Sequence, residues 1–233
     1  MQATGIVYHK DCIEFLKEFG DKSIDHVFTS PPYNRKRNDK YDHYDDTLID
    51  YYGLIKSVID ESLRIASGYV FINIQKNYYN KKEVFDLIGE FSSKIQEIII
   101  WEKSNPMPAS GFSTTNAYEF FIILGDNPLK SNKTYTKNII TTSVHSKMPS
   151  NHKAVMKPEV CDWFIENFTK IGEMVLDPFT GIGTTGVSCV SKGRNFKGSE
   201  LSEIYCTEAN DNITKATTDD IICTNLTQEQ LGI

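Results

Sequence analysis

Short apolar runs rich in β-branched and aromatic residues alternate along this chain with stretches of helical period, and that alternation restricts the fold more than any other feature. Parallel strands need a long crossover between them, so strand–helix alternation reads as an α/β layer structure: a mostly parallel sheet covered by helices on both faces. Strands are predicted at residues 5–9, 25–29, 69–74, 97–101, 118–124, 174–176 and 195–198. Helices fit 12–19, 47–65, 82–91, 158–169, 184–191 and 204–215, with Pro158 suited to a first helical turn. The loop between Trp101 and Tyr118 has no helical period, so the strands on either side of it should pair antiparallel. Residues 126–152 are polar, lysine-rich and weakly patterned, which predicts a surface insertion outside the core. The 233 residues fit one domain, 1–233, with little room for a second.

Two segments carry chemistry. Thr29-Ser30-Pro31-Pro32-Tyr33 directly follows an apolar strand. Consecutive prolines have no N–H and a fixed φ, so the backbone turns stiffly out of the sheet and leaves carbonyl groups free to accept. Ser30 adds a hydroxyl acceptor and Tyr33 a flat ring. Acceptors beside an aromatic face suit an amino group on a planar heterocycle.

The second segment is Asp177-Pro178-Phe179-Thr180-Gly181-Ile182-Gly183-Thr184-Thr185-Gly186, again after an apolar run. Glycines between a strand and a helix let backbone approach a ligand at the helix N-terminus. Glu200 ends the next strand, where a carboxylate suits ribose hydroxyls. The glycine spacing also satisfies the dinucleotide fingerprint, but too little chain follows Gly186 for the rest of a nicotinamide domain. The Asp-Pro-Phe insertion is foreign to that fingerprint as well. A phosphate-binding P-loop is excluded because no Gly-Lys-Ser/Thr follows.

Net charge is −6, yet the basic residues cluster. Arg35, Lys36, Arg37 and Lys40 form one group directly after Tyr33; Lys130, Lys133, Lys137, Lys147, Lys153 and Lys157 form another. Phosphates respond to such local fields, but taken alone each run reads as a solvated loop. The five cysteines are scattered, with no CxxC pair, and read as reduced, mostly buried thiols with no metal role. The start of the sequence lacks the apolar core of a signal peptide, and no stretch is long and apolar enough for a bilayer, so a cytoplasmic location away from membranes is expected.

Taken together, these segments resemble the β-group of amino-methylating DNA methyltransferases over nearly the whole chain. There the proline–tyrosine motif precedes the glycine motif, as here; RNA adenine and protein glutamine methyltransferases place the glycine motif first. Asp11-Cys12 looks like the acidic turn that meets the cofactor's adenine. Trp101-x-Lys103-x-Asn105-x-x-Pro108 followed by Asn116-Ala117-Tyr118-Glu119 is similar to the strand-loop-strand near the target base. His152 through Lys157-Pro158 resembles the approach to the helix before the glycine strand. Gly198-Ser199-Glu200-Leu201, with Tyr205 and Ala209, matches the ribose-binding strand and helix.

The resemblance implies a circularly permuted, Rossmann-like sheet of seven strands and a reaction on DNA with S-adenosylmethionine, leaving S-adenosylhomocysteine. Ser30, Pro31, Pro32 and Tyr33 would handle the base. Asp11, Cys12, Lys157, Asp177, Pro178 and Phe179 would hold the cofactor, together with Gly181, Gly183, Thr184, Thr185, Glu200 and Leu201. Residues 126–150 would be a short target-recognition insertion, and Arg35, Lys36, Arg37 and Lys40, directly after Tyr33, would meet the DNA backbone. A cognate restriction endonuclease and a homodimer are further partners in keeping with it. Ser30 stands where adenine enzymes usually carry Asp or Asn, so cytosine N4 is the expected target and adenine N6 the alternative. An RNA methyltransferase and an inactive DNA-binding module rank lower.

The Ser30 hydroxyl and the Pro31 carbonyl would accept hydrogen bonds from the amino group, localising its lone pair for in-line attack on the methyl. The base must first flip out at a cost of a few kcal/mol; stacking on Tyr33, about 1–3 kcal/mol, offsets much of that. Ring-carbon methylation uses a cysteine that follows proline in its own family, and none of the five here does.

Overall fold

The computed structural model describes residues 2–34, 50–106, 114–143 and 156–231, with side chains described through residue 218. The chain runs β1 (Gly5–His9), α1 (Cys12–Lys17), β2 (His26–Thr29), α2 (Tyr51–Ile65), β3 (Val70–Ile74), α3 (Lys81–Glu90) and β4 (Ile95–Lys103). It continues through β5 (Tyr118–Leu124), β6 (Ile139–Thr142), α4 (Pro158–Phe168), β7 (Met174–Asp177), α5 (Thr184–Ser191), β8 (Asn195–Glu200) and α6 (Glu203–Leu231). One eight-stranded sheet has the order β1-β8-β7-β2-β3-β5-β4-β6. Only β5 runs against the rest, antiparallel to β3 and to β4, which matches the pairing expected across the loop after Trp101.

Alternating side chains along the strands build two cores. Phe28, Phe71, Phe121 and Phe196 point to one face, where α4 supplies Val160, Cys161, Phe164 and Phe168. Val27, Val70, Ile72, Ile122 and Leu176 point to the other, where α2 supplies Ile55, Val58, Ile59 and Ile65. Each such side chain is fully or nearly fully buried, a contribution of about 1.5–3 kcal/mol apiece relative to exposure. Phe164 sits at the centre of an aromatic cluster, 4.2 Å from Phe121, 5.4 Å from Phe28 and 5.6 Å from Phe71 between ring centroids. That cluster lies directly beneath the end of β2, so the turn after Thr29 rises from a rigid floor.

The crossovers then fix where a ligand can sit. From β7 the chain passes through α5 to β8 on one side; from the adjoining β2 it passes through α2 to β3 on the other. Adjacent strands whose crossovers part in opposite directions leave a crevice at their carboxyl ends, the switch point of an open α/β sheet.

Four expectations need correction. The sheet has eight strands among the described residues, because Ile139–Thr142 pairs in parallel with β4, from Ile100↔Ile139 to Lys103↔Thr142. With Ile140 buried, part of the expected surface insertion belongs to the sheet and its core. The last helix runs on to Leu231, past the expected end at residue 215. Thr217 and Thr218 donate their hydroxyls to the carbonyls of Ile213 and Thr214 four residues back, the bond such side chains make inside a helix. Conversely α1 stops at Lys17 because the Glu18 and Phe19 amides bond three residues back, to Phe15 and Leu16, tightening the final turn. Among the described residues no helix is long and apolar enough to cross a membrane.

Candidate active site

At the switch point, the two chemically suggestive segments meet. Thr29 Oγ1, at the end of β2, donates to Asp177 Oδ1, at the end of β7, at 2.7 Å across a separation of 148 residues. The same carboxylate accepts from the Phe179 amide at 3.0 Å and from Thr185 Oγ1 on α5 at 2.9 Å. Asp177 is only 3% exposed. Burial pushes its carboxyl up to about 6, against the pull of those three donors. It therefore reaches the crevice through the elements it ties together: the proline turn, the glycine turn and the start of α5.

Close packing dictates the glycine turn. Gly183 sits at φ +89°, and a Cβ there would lie 3.0 Å from Ala209 Cα and 3.1 Å from its carbonyl oxygen, so both conformation and space require glycine. Gly181, at φ +55°, faces open space on its Cβ side. Its amide donates to Glu200 Oε2 at 2.9 Å, while Glu200 Oε1 accepts from the Ser202 amide at 2.9 Å. A carboxylate at the end of β8 is thus oriented beside a backbone cradle that leaves room for a ligand. Those features fit an adenosine-bearing molecule, whose ribose hydroxyls a carboxylate can accept.

The remaining expected cofactor residues surround this cradle unevenly. Asp11 caps α1, accepting from the Ile13 and Glu14 amides at 2.9 and 3.2 Å. Cys12 is buried behind it, and burial with Asp11 nearby pushes its thiol up to about 12. Pro178, Thr184 and Thr185 are buried, Phe179 packs against the α2-side core, and Leu201 is exposed. Lys157 is buried at the N-cap of α4, its Nζ 3.2 Å from Ser143 Oγ; it does not belong to the solvent-facing lysines Lys130, Lys133 and Lys137. Arg35, Lys36, Arg37, Lys40, Pro108, Lys147, His152 and Lys153 lie outside the described residues.

Around the proline turn the structure gathers a polar cluster that includes Glu119, expected near the base, and Asn73, which sequence reading missed. Tyr33 Oη is 2.6 Å from Asn73 Oδ1, 3.0 Å from Glu119 Oε2 and 2.9 Å from Ser30 Oγ, and Ser30 Oγ is 3.2 Å from Asn73 Oδ1. Asn73 Nδ2 donates to the Phe120 carbonyl at 3.2 Å, which turns Oδ1 toward the two hydroxyls. Glu119 Oε1 accepts from Gln75 at 3.2 Å and pairs with Lys103. The Tyr33 hydroxyl donates to Asn73 Oδ1 or to Glu119 Oε2, and in either case the Ser30 proton has an inward acceptor, Tyr33 Oη or Asn73 Oδ1. With its proton committed inward, the half-buried Ser30 hydroxyl presents lone pairs. It is an acceptor.

The backbone of the turn is clamped as well. The Tyr33 carbonyl accepts from Asn77 Nδ2 at 2.7 Å and Asn80 Nδ2 at 2.8 Å. Asn34, buried, turns the chain at φ +48°, a left-handed conformation that asparagine tolerates better than most residues. One signal for Asn73 exists in the sequence: it is the lone polar residue in the apolar strand VFINI.

Comparison with known proteins gives four findings. Residues 24–211 match the family model described as DNA methylase. The chain is 27% identical to the type II methyltransferase M.HinfI of Haemophilus influenzae over 84% of its own length, and spans 64% of that protein. Among solved structures it is similar to PvuII DNA methyltransferase (cytosine-N4-specific), with a TM-score of 0.73 at 19% identity, covering 94% of this chain and 93% of that one. It is also similar to M1.HpyAVI in complex with SAM, with a TM-score of 0.67 at 23% identity, covering 89% of this chain and 98% of that one.

Proposed function

Because the chain belongs to the DNA methylase family, whose members methylate amino groups in DNA, we propose that it transfers a methyl group from S-adenosylmethionine to the N4 amino group of cytosine in DNA. The observation that carries this reading is the 2.7 Å Thr29–Asp177 hydrogen bond, which locks the proline turn and the glycine turn side by side. A base-handling turn and a cofactor-handling turn must adjoin for a direct transfer, because the attacking nitrogen and the methyl group have to come into line.

S-adenosylmethionine supplies an electrophilic sulfonium methyl. The glycine cradle and Glu200 bind its adenosine portion. Asp177 holds the cradle against β2 and stays out of the reaction. The Ser30 hydroxyl, kept an acceptor by Asn73 and Tyr33, takes a hydrogen bond from the exocyclic amino group, and the Pro31 carbonyl takes the second. Both bonds draw the nitrogen lone pair out of conjugation with the ring, where it is a poor nucleophile. The Tyr33 ring, fixed at its hydroxyl end, offers a face to the flipped base. A neutral hydroxyl in the first position of the turn favours cytosine over adenine, in line with the habit of the resembling cytosine enzymes. Target recognition falls to the residues of 126–150 outside β6, and phosphate contact to Arg35, Lys36, Arg37 and Lys40.

Transfer of tritiated methyl from S-adenosylmethionine tests the proposal. Label should enter unmodified genomic DNA and not total RNA, and Ser30→Ala should lower incorporation by roughly tenfold or more, as for the loss of one charge-orienting hydrogen bond in a transition state. Label in RNA alone would overturn the substrate assignment.

A further inference from the structure

Beside the proline turn, the loop between β3 and α3 carries two consecutive exposed aromatic residues that no role described above uses. Tyr78 and Tyr79 are 64% and 49% exposed, with ring centroids 5.3 Å apart and planes at 88°. The loop that carries them is built rigidly. Asn77 Oδ1 accepts from the Tyr79 amide at 2.8 Å and the Asn80 amide at 3.2 Å, while Asn80 Oδ1 accepts from the Asn77 amide at 2.7 Å. These are the same two asparagines whose amide groups clamp the Tyr33 carbonyl. Asn116 Nδ2 further donates to the Lys76 carbonyl at 2.6 Å, tying the loop to the start of β5. The aromatic pair is therefore fixed in position relative to the turn that receives the base.

The surrounding charge identifies the partner. Lys81 Nζ stands 5.4 Å from the centroid of the Tyr78 ring, holding it by a cation–π contact and placing positive charge at its edge. Lys76 precedes the pair in the same loop. Rigid aromatic faces edged with ammonium groups are the composition of single-strand nucleic-acid surfaces, where rings stack on bases and cations meet phosphates. Flipping one nucleotide leaves its neighbours partly unstacked, and a ring that takes over that stacking lowers the cost of the opened state.

We propose that Tyr78 and Tyr79, with Lys81 at their edge, form a stacking surface for an unpaired base of the DNA strand next to the flipped one. This rests on the amino-methylation reading and adds a second strand contact to it. The test is fluorescence anisotropy of the full chain with a short labelled single-stranded oligonucleotide of mixed sequence, alongside methyl transfer to DNA and S-adenosylmethionine titration. The double variant Tyr78→Ala/Tyr79→Ala should weaken oligonucleotide binding by roughly ten- to a hundredfold. Tyr78→Phe/Tyr79→Phe should bind close to wild type, because a π-face suffices. Cofactor affinity and thermal midpoint should not move in either variant, since exposed rings contribute little to folding.

Oligonucleotide affinity in the double alanine variant within about twofold of wild type would overturn the inference alone. So would a loss matched by weaker cofactor binding and a lowered midpoint, which would make the pair structural. A wild-type chain that neither binds the oligonucleotide nor methylates DNA would overturn the functional reading as well.

Discussion

Removing one oxygen, by Tyr33→Phe, probes the cluster that makes Ser30 an acceptor. The ring and its stacking face remain, while the hydroxyl that touches Asn73, Glu119 and Ser30 is lost. Glu119 Oε1 keeps Lys103 and Gln75, but Oε2 loses the Tyr33 hydroxyl in a side chain only 4% exposed. A hydrogen bond to a charged group contributes about 1.5–3 kcal/mol. For a domain of this size each kcal/mol moves the midpoint by about 2–4 °C, so calorimetry should find a fall of about 3–12 °C. Unpinned at its outer end, the ring should hold the base less well, lowering kcat by about tenfold, or about 1.4 kcal/mol. Cofactor affinity should stay at the wild-type value. Glu119→Gln in the same background should give less than the sum of the two single losses, because the groups share one bond. A variant with wild-type midpoint and kcat would refute the proton arrangement and return Tyr33 to a purely stacking role.

Asp177 predicts a pH dependence. With its carboxyl pushed up to about 6 in the fold from an ordinary 3.8, the folded chain holds more protons than the unfolded one between those values. Stability from this group is therefore full below pH 3.8 and declines as pH rises to about 6. Protonation also removes an acceptor for Thr29, Thr185 or the Phe179 amide, so calorimetric titration should find cofactor affinity falling below pH of about 6, with the inflection gone in Asp177→Asn. Gly183→Ala should destabilise the chain by about 1–3 kcal/mol, read as a lower midpoint, since the left-handed backbone and the Ala209 contact both exclude a methyl. Cys12, Cys161, Cys189 and Cys206 are buried, and burial raises all four thiols; peptide mass spectrometry after brief iodoacetamide treatment of the native chain should find them unmodified.

What could be read from the sequence follows from how local each feature is. The strand ending at Thr29, the antiparallel partner of β4 and the glycine turn each declare themselves through neighbouring residues. β6 does not: a strand of four residues, IITT, within a lysine-rich polar stretch has no period to detect, and only the edge of β4 makes it a strand. The site divides in the same way. Ser30, Tyr33 and, through the Asn116–Glu119 motif, Glu119 are legible in the sequence, but Asn73 enters the site through the register of β3 against β5, Asn73↔Phe121 and Ile74↔Phe120, which no local pattern encodes. Asp177 reads in sequence as a cofactor residue; its tie to Thr29, 148 residues away, arises only because β7 lies beside β2 in the sheet.

The central claim is that a neutral hydroxyl acceptor beside a cofactor cradle directs a methyl group to an exocyclic amino nitrogen. Its most direct test is mass spectrometry of nucleosides from unmodified DNA incubated with the chain and isotopically labelled S-adenosylmethionine. Labelled 4-methylcytosine is expected, lowered by roughly tenfold or more in Ser30→Ala. Labelled 5-methylcytosine would contradict it, because methyl transfer to a ring carbon needs a nucleophile that this turn does not hold.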